Sequence, residues 1–530
     1  MKTLLSAILL PLLIAVAIVA APLRPFAQTK PQYQPQAVFC ADGTGTLCSN
    51  IPGYIGPDSR LGLTLGYDGL FGKLPGNVSE DVQTPFDNMA WQMFVALNWA
   101  ADATLKPAAQ GLTQPGPRVW QTYRKVSALF GNSKVRAPCA QQIALPTFYI
   151  GSDGKGTPAP NNEEYLQAST KLPLIDVNGN WTLFERRVNE IEADYLRAPG
   201  GLHAETLTTR KGQLAFIKNH PQGAEFTSSG TIPDGKNGSI EIKAAWRILD
   251  IASGDDPSKF LTQNILLAVS GDLVGNGRPF CRSEKVALVG MHILQRNPKD
   301  PKNPALLPQW IWATFEHVDN APQAASPCNV ANGCGTNKAT DWINQPSCGP
   351  AATAPGAHYS FYASPQAGQG TNIGPQGPSG AKTKFPWNSA KPYARGGTTP
   401  ASAMPQVVRC WQIYPTTTVL NEQWRMALGS LKSVFQNYML IGTQWGGTVE
   451  PPTPPNPMPA AAVPGMLSNL TLETYIQNYT GSDSKLPGPG TCVGCHNFAT
   501  LVDKKTKANF SFLPGLANPD TARSEIKTAD

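Results

Sequence analysis

The sequence IEIKAAWRIL (240–249) is the first of five stretches that decide the fold of this chain. It is rich in β-branched and aromatic residues, a composition typical of β-strands. Four more stretches share this composition: WTLFERRVN (181–189), NILLAVSG (264–271), VALVGMHIL (286–294) and WIWATFEHV (310–318). Several are bounded by Gly, Asn or Pro, which are common in turns. The pattern predicts a β-rich central domain, either a sheet with one covered face or a sandwich.

Two longer helices are predicted before and after these strands. The first begins at Thr84, which can cap it, and runs through PFDNMAWQMFVALNW (85–99), where apolar residues recur at helical spacing. The second is LNEQWRMALGSLKSVFQNYML (420–440), whose apolar stripe includes Met439. A short helix is expected at 470–479. Together these elements predict an α+β fold, with a β-rich main domain and a short helical C-terminal segment.

The composition supports a turn-rich globular protein and excludes several other classes. Glycines number 49 and prolines 50 among 530 residues, well above their usual combined share of roughly 12%. Hydrophobic residues make up 41% and charged residues 15%, which excludes wholesale disorder and a coiled coil. The net charge of +7 is not gathered in a long basic run, so nucleic-acid binding is not expected.

The N-terminus has the pattern of a secretory signal. Lys2 precedes an uncharged apolar run that reaches Ala21, and the small residues at its end suit a signal peptidase. We therefore predict a signal peptide at 1–21 and a periplasmic or secreted location. Membrane attachment is expected only if this segment stays uncleaved, because the run is just at the lower limit for a membrane span.

The rest of the chain divides by composition. An irregular lead-in covers 22–80, and the β-rich main domain covers 81–450. Within that domain, 321–406 is dominated by small residues and Pro, and is predicted to be irregular and pinned by disulfides. A Pro-rich strap or linker follows at 451–465, and the last segment covers 466–530.

Ten cysteines fit an oxidising compartment. Eight of them lie before residue 411 and predict up to four disulfides, whose pairing the sequence leaves open. The local pairs Cys40–Cys48 and Cys328–Cys334 are favoured, because each closes a short polar loop that contains glycine. Buried thiols are the alternative for some of the eight.

The motif that carries chemistry is CVGCH, with Cys492, Cys495 and His496 in Cys-x-x-Cys-His spacing. Two thiols three residues apart on a nascent helix can reach both vinyl groups of one haem, and the following histidine can bind its iron. The sequence therefore predicts one covalent haem c, with His496 as the proximal ligand. A zinc site would need a second Cys/His pair nearby, and none is present in the sequence. An ordinary disulfide and a redox dithiol stay open as alternatives.

At these residues the chain resembles the c-type cytochromes. More widely, the segments WQMFVALNW, IEIKAAW, GMHIL, FEHVDN and FSFLPGLA are similar to a group of exported proteins of the cytochrome c family. This resemblance implies one covalent haem and no established substrate. Small cytochromes place the motif near the start of the domain and a Met ligand after it, whereas no Met or His follows His496 in this sequence. The second axial ligand must come from upstream or be absent.

Two upstream methionines are candidates for the distal ligand. Met458 and Met466 stand beside the Pro-rich strap, from which either could fold over the haem. Filling of the core or the surface is the alternative for each. A Met ligand raises the potential and suits electron transfer, whereas an open position suits small-molecule chemistry.

A second constellation lies late in two neighbouring predicted strands. His292 stands in the first, and Glu316 and His317 stand in the second. If these strands form a hairpin, the two histidines can share a face. With Asn320 they would then form a polar pocket for acid–base work, metal binding or distal haem ligation. A hydrogen-bonded core role for His317 is the alternative, because strand alternation places it among apolar residues.

These observations predict a periplasmic c-type cytochrome that transfers electrons through one haem and meets a redox partner protein. Its main domain could serve substrate oxidation, in which case the protein is a haem-dependent oxidoreductase. Two other functions stay open: a haem enzyme or sensor with an open sixth iron position, and a secreted binding protein with a structural haem. The sequence names no substrate and no oligomeric state.

Overall fold

A computed structural model describes most of the chain between residues 35 and 517. The described ranges are 35–40, 45–52, 78–109, 111–130, 145–151, 165–167, 170–197, 205–228, 237–297, 310–328, 349–363, 371–375, 385–394, 405–446, 462–463, 467–477 and 492–517. The predicted signal peptide and most of the Pro-rich strap lie outside these ranges. Residues 35–530 group into one compact unit.

The described strands are twelve in number. In chain order they are β1 (Arg124–Lys125), β2 (Thr147–Ile150), β3 (Leu183–Val188), β4 (Ile240–Ile248), β5 (Thr262–Val269), β6 (Phe280–Arg296), β7 (Trp310–His317), β8 (Gln323–Cys328), β9 (Ala351–Ala352), β10 (Arg409–Trp411), β11 (Tyr438–Gly446) and β12 (Ala462–Val463). Nine of them form one sheet in the order β1-β3-β4-β6-β7-β11-β12, with β5 paired to β6 and β2 paired to β5. The other three form a small sheet in the order β10-β8-β9.

The long strand β6 organises the large sheet. One of its edges pairs with β4, while its other edge pairs first with β5 and then with β7. The sheet therefore curls along β6, and its pairs are antiparallel except for β2 with β5. All five predicted strands are confirmed, as β3, β4, β5, β6 and β7, and the α+β class with a β-rich main domain is confirmed with them.

Two long helices cover one face of this sheet, and shorter helices pack on the other face. The described α-helices are α1 (Val78–Leu97), α2 (Val126–Phe130), α3 (Glu190–Arg197), α4 (Arg210–Asn219), α5 (Pro415–Ser430) and α6 (Cys492–His496). Helices α1 and α5 pack together through the stacked rings of Trp91 and Trp424. Phe94 of α1 stacks on Phe315 of β7 at 4.1 Å between ring centroids. The largest apolar core lies between these two helices and the sheet. Among the described helices, none combines the length and the apolar character needed to cross a bilayer.

Both long helices differ at their ends from the sequence prediction. Helix α1 begins at Val78, so Pro85 lies inside it rather than in its first turn. Helix α5 ends at Ser430, and the backbone of Lys432 turns into the left-handed region at φ 54°. The prediction of helix through 431–440 is therefore wrong. Met439 belongs to β11, because pairing with β7 and burial of neighbouring aromatic rings outweigh the helical spacing of the apolar residues.

Two further predictions concern the local disulfides and the short helix expected at 470–479. Cys40 and Cys48 are joined by the predicted disulfide, whereas Cys334 of the other local pair lies outside the described residues. The helix expected at 470–479 is only one 3-10 turn, Thr474–Ile476, within the described residues.

The opposite face of the sheet carries two separate apolar clusters. The first, which we call the C-terminal cluster, joins sheet residues such as Leu294 and Trp312 to Val493 and Leu501. The second, which we call the strap cluster, joins sheet residues such as Ala245 and Val289 to Leu470, Leu472 and others. The row of side chains between these two clusters is polar, and the candidate site lies there.

Candidate haem attachment site

The CVGCH motif forms the single turn of α6, which lies against β11. The Val493 N–H donates to the Gln444 side-chain oxygen at 2.9 Å, and Val493 itself is fully buried in the C-terminal cluster. Cys492 and Cys495 are half-buried on this turn. The turn therefore presents both thiols beside the histidine that follows them, the arrangement that the sequence motif predicts.

His496 is held in one orientation by its Nδ1 atom. Nδ1 lies 2.6 Å from the carbonyl oxygen of Phe510, and because a carbonyl can only accept, Nδ1 carries the proton. Burial lowers the pKa of His496 to about 4, so the imidazole is neutral near pH 7. The lone pair is then on Nε2, as metal coordination requires. The rings of Trp312 and Phe512 lie against this imidazole edge to face, at 5.8 and 5.1 Å between centroids.

The carbonyl that holds His496 belongs to an unusual backbone segment. Asn509 and Phe510 both adopt the left-handed region, with φ 49° and 66°. Asn tolerates this conformation, but for Phe it is strained. The Asn509 side-chain oxygen accepts a hydrogen bond from the Trp310 indole at 2.9 Å, which ties the segment to β7. The strained conformation is therefore fixed by the sheet and directs the Phe510 carbonyl towards the histidine.

The pKa of the Cys492 thiol bears on whether the motif could act as a redox dithiol or a metal ligand. Burial raises the pKa of this thiol well above its usual value, and the nearby charges of Glu473 and Cys495 raise it further. A redox-active dithiol or a thiolate metal ligand needs the opposite shift, towards the thiolate. Cys492 is therefore a neutral thiol near pH 7, whereas a redox-active dithiol works through its thiolate.

The sheet beneath the motif presents a polar row. Lys243 of β4, His292 of β6 and Thr314 of β7 stand opposite one another across the paired strands. Since directly opposed residues project from the same face, all three lie between the C-terminal cluster and the strap cluster. His292 Nε2 lies 2.9 Å from Glu473 Oε1, and the Asn469 N–H donates to Glu473 Oε2 at 3.0 Å.

Glu473 is ionised in this arrangement. Burial by itself would raise its pKa, but the neighbouring His292 and the hydrogen bond from it, together with Lys243, lower the pKa below its ordinary value. The charge on Glu473 acts through space on both Cys492 and His496. The polar row and the CVGCH turn therefore form one electrostatic site.

The second predicted constellation is not assembled as expected. The hairpin of β6 and β7 is confirmed, but its register places His292 opposite Thr314, so the expectation that His292 and His317 share a face is wrong. His317 lies on the other face of the sheet, the one that α1 and α5 cover. Its Nε2 donates to the Lys259 carbonyl at 3.0 Å, and its Nδ1 accepts from the Asp319 N–H. Burial lowers its pKa to about 4. His317 is a hydrogen-bonded core residue, the alternative that the sequence left open.

Glu316 and Asn320 have structural partners. Glu316 is fully buried and ion-paired with Arg409 at 2.7 Å, and it also accepts the Leu470 N–H. Asn320 donates to the Val289 carbonyl at 2.6 Å. These contacts tie the strap cluster together. Of the predicted pocket, the structure brings only His292 next to the motif.

Several residues of the site carry no recognisable signal in the sequence. Glu473 stands alone in a short stretch that predicts only a helix, and Lys243 is one charged residue within a strand. Trp312 is indistinguishable from the other core aromatics until the register places it beside His496. Met458 and Met466, the predicted distal ligands, lie outside the described residues.

The residues present fit a covalent haem. Two half-buried thiols and a neutral imidazole with its Nε2 lone pair stand on one turn. The buried indole N–H of Trp312, which lies against that imidazole, has no hydrogen-bond partner among the described residues. An acceptor from a bound group would satisfy it. The donor set and this unsatisfied group are both consistent with a haem at the motif.

No protein-family model, curated protein or solved structure shows significant similarity to this chain.

Proposed function

We propose that this protein is an exported c-type cytochrome that carries one covalent haem and transfers single electrons to or from a redox partner protein. Cys492 and Cys495 would attach the haem, and His496 would bind its iron. The predicted signal peptide at 1–21 supports export to the periplasm or beyond. The main domain would form one wall of the haem site and is the module that meets the partner or a substrate.

The observation that carries this proposal is the state of His496. The carbonyl of Phe510, whose backbone is strained, accepts a hydrogen bond from Nδ1 of His496 and so fixes the tautomer of the ring. The lone pair is then on Nε2, where an iron atom can bind. The two thiols precede it at the spacing that haem attachment requires. The three groups together meet the chemical demands of a haem c site.

The surrounding residues would control the properties of the iron. A bound haem supplies one-electron iron chemistry, whose potential depends on axial ligands, burial and nearby charge. Trp312 and Phe512 shield the imidazole from water, and the Phe510 carbonyl fixes its orientation. Glu473 and Lys243 place opposite charges beside the site, and so set the local electrostatic potential.

The sixth iron ligand stays a prediction. Met458 and Met466 are the candidates if the haem is six-coordinate and serves electron transfer. If the position is open, the reduced protein binds carbon monoxide, and a catalytic or sensory role is favoured instead. The visible spectrum of the reduced protein with and without carbon monoxide decides between these functions.

The decisive test is expression in a host that exports the chain and matures c-type cytochromes. We expect the purified protein to carry the mass of one haem in an intact-mass measurement under denaturing conditions. The variant with Cys492→Ser and Cys495→Ser should lack that mass. The matched control, with Cys40→Ser and Cys48→Ser, removes a disulfide outside the motif and should keep the haem. A wild-type protein without added mass contradicts the proposal.

A further inference from the structure

His292 and Glu473 form a carboxylate–imidazole pair beside the CVGCH turn. An ionised carboxylate such as Glu473 can only accept a hydrogen bond. The Nε2 atom of His292 therefore carries a hydrogen and donates a hydrogen bond to Glu473 at 2.9 Å. No hydrogen bond of the described residues involves Nδ1 of His292. A carboxylate that holds one ring nitrogen makes the other a better proton acceptor. His292 is therefore prepared to gain a proton at Nδ1.

The sheet register places this pair close to His496. Trp312, which contacts the His496 ring, stands two residues from Thr314 on the same face of β7. Thr314 is the residue directly opposite His292, so His292 and Trp312 are diagonal neighbours on the sheet. His292 and His496 also influence each other electrostatically. A charge change at a group bound to His496 would be felt at His292.

The pair is enclosed but not sealed. The side chains of His292 and Glu473 are 12% and 24% exposed. This burial leaves Coulomb interactions less screened than at the surface, while the residual exposure gives protons a route from solvent.

The charged and titratable groups on this side of the sheet near His292 come from four parts of the chain. They are Glu473 from 467–477, Lys243 from β4, Arg186 from β3, and Cys492 and His496 from α6. The neighbours from β7 and β11, Thr314, Trp312 and Gln444, do not titrate. Glu473 favours the protonated imidazole, and Lys243 opposes it.

We infer that His292, held by Glu473, takes up a proton when the haem at His496 gains an electron, so that electron transfer by this protein is coupled to proton transfer. This inference rests on the function proposed above. The balance is one electron from the protein's one-electron donor and one proton from solvent to His292 Nδ1, with both released on oxidation. The added electron attracts the proton, and the added proton in turn stabilises the reduced state.

The size of the effect follows from Coulomb's law. One unit charge roughly 10 Å away, at an effective dielectric of about 20, shifts a pKa by about one unit. The reduced protein should thus bind a proton at His292 more tightly than the oxidised protein. Because the shift is about one unit, the midpoint potential should fall by about 59 mV in total as the pH rises through the range in which His292 loses its proton.

The test is spectroelectrochemical titration of the haem-loaded protein between pH 5 and 9. We expect the midpoint potential of the wild-type protein to fall with rising pH within one window of this range. The His292→Gln variant should show no such fall. Glu473→Gln should move the window to lower pH, because the imidazolium loses its carboxylate. Lys243→Gln should move it to higher pH, because a neighbouring cation is removed. The exposed His358→Gln is the matched control and should leave the profile unchanged.

Each other outcome overturns the inference in a recognisable way. A haem-loaded wild-type protein whose potential is independent of pH contradicts proton coupling but leaves the proposed function standing. A His292→Gln variant that keeps the slope assigns the coupling to another group. A change from low-spin to high-spin iron in His292→Gln makes His292 an iron ligand instead. A wild-type protein that carries no haem overturns both proposals together.

Discussion

Gly290 shows how one residue places the carboxylate of the site. It lies on β6, on the face that carries His292, and the segment 467–477 crosses directly over it. A Cβ atom at Gly290 would lie 2.0 Å from the Thr471 hydroxyl oxygen and 3.1 Å from the Asn469 side-chain oxygen. The absence of a side chain therefore allows this segment to approach the sheet, and the same segment carries Glu473 to His292.

We expect Gly290→Ala to push the segment 467–477 away from the sheet. Forced overpacking of this kind costs about 1–3 kcal/mol in the free energy of unfolding, measured by denaturant titration. Gly275→Ala is the control, because a Cβ at Gly275 meets nothing within 4 Å. Equal stability of the two variants would show that the segment does not pack closely on Gly290.

The site was only partly predictable at the scale of single residues. Cys492, Cys495 and His496 are recognisable because their chemistry depends on spacing within five residues. Glu473 stands 181 positions from His292, and their contact depends on how a later segment crosses the sheet. The core position of His317 follows from strand alternation, but its separation from His292 does not, because a shift of one residue in register exchanges the two faces of a strand.

At the scale of elements, a buried ion network ties a turn to β4. Arg247 of β4 bonds Asp176 at 2.8 Å and Asp255 at 2.7 Å. Asp176 also accepts the backbone N–H groups of Asn178 and Asn180, which closes the turn before β3. Burial raises the pKa of Asp176 to about 6, although the charge of Arg247 opposes this shift.

Arg247→Met should destabilise the protein strongly. It leaves Asp176 buried without its charged partner, a change that typically costs about 3–5 kcal/mol. Thermal or denaturant unfolding at pH 7 measures the loss. Arg278 is exposed, so Arg278→Met serves as the control and should change stability little. If both substitutions have a similarly small effect, the ion network makes no net contribution to the free energy of unfolding.

The strands were easier to predict than the ends of the helices. Each predicted strand combines a local composition with turn residues at its boundaries, and both are visible in the sequence. Helix α5 stops at Ser430 although Phe435 and Tyr438 continue its spacing, because both rings are buried more completely in a 3-10 turn and in β11. That choice depends on the tertiary core, which a local pattern does not contain.

At the scale of the whole molecule, buried titratable groups make stability depend on pH. Burial raises the pKa of Asp87 in α1 to about 6, although the hydrogen bonds from Thr417 and Gln83 lower it in part. Folding therefore favours the protonated carboxyl. The stability that Asp87 contributes is complete below its unfolded pKa, near 4, and is lost as the pH rises to about 6.

Asp87→Asn removes this dependence. Relative to wild type, the variant should gain about 1.4 kcal/mol of unfolding free energy for each pH unit between 4 and 6. A constant difference caused by the altered hydrogen bonds does not affect this slope. Denaturant titrations of both proteins at several pH values measure it, with the exposed Asp194→Asn as control. A stability difference that does not vary with pH would show that Asp87 is not the group responsible.

The burial of Val493 has a consequence for biogenesis. Its turn packs on β11 and β7, so it reaches its final environment only after those strands have paired. In the folded protein the sheet covers one side of this turn, while both thiols stay half-buried. If the turn carries the proposed haem, attachment should be easier before this last segment packs on the sheet than afterwards.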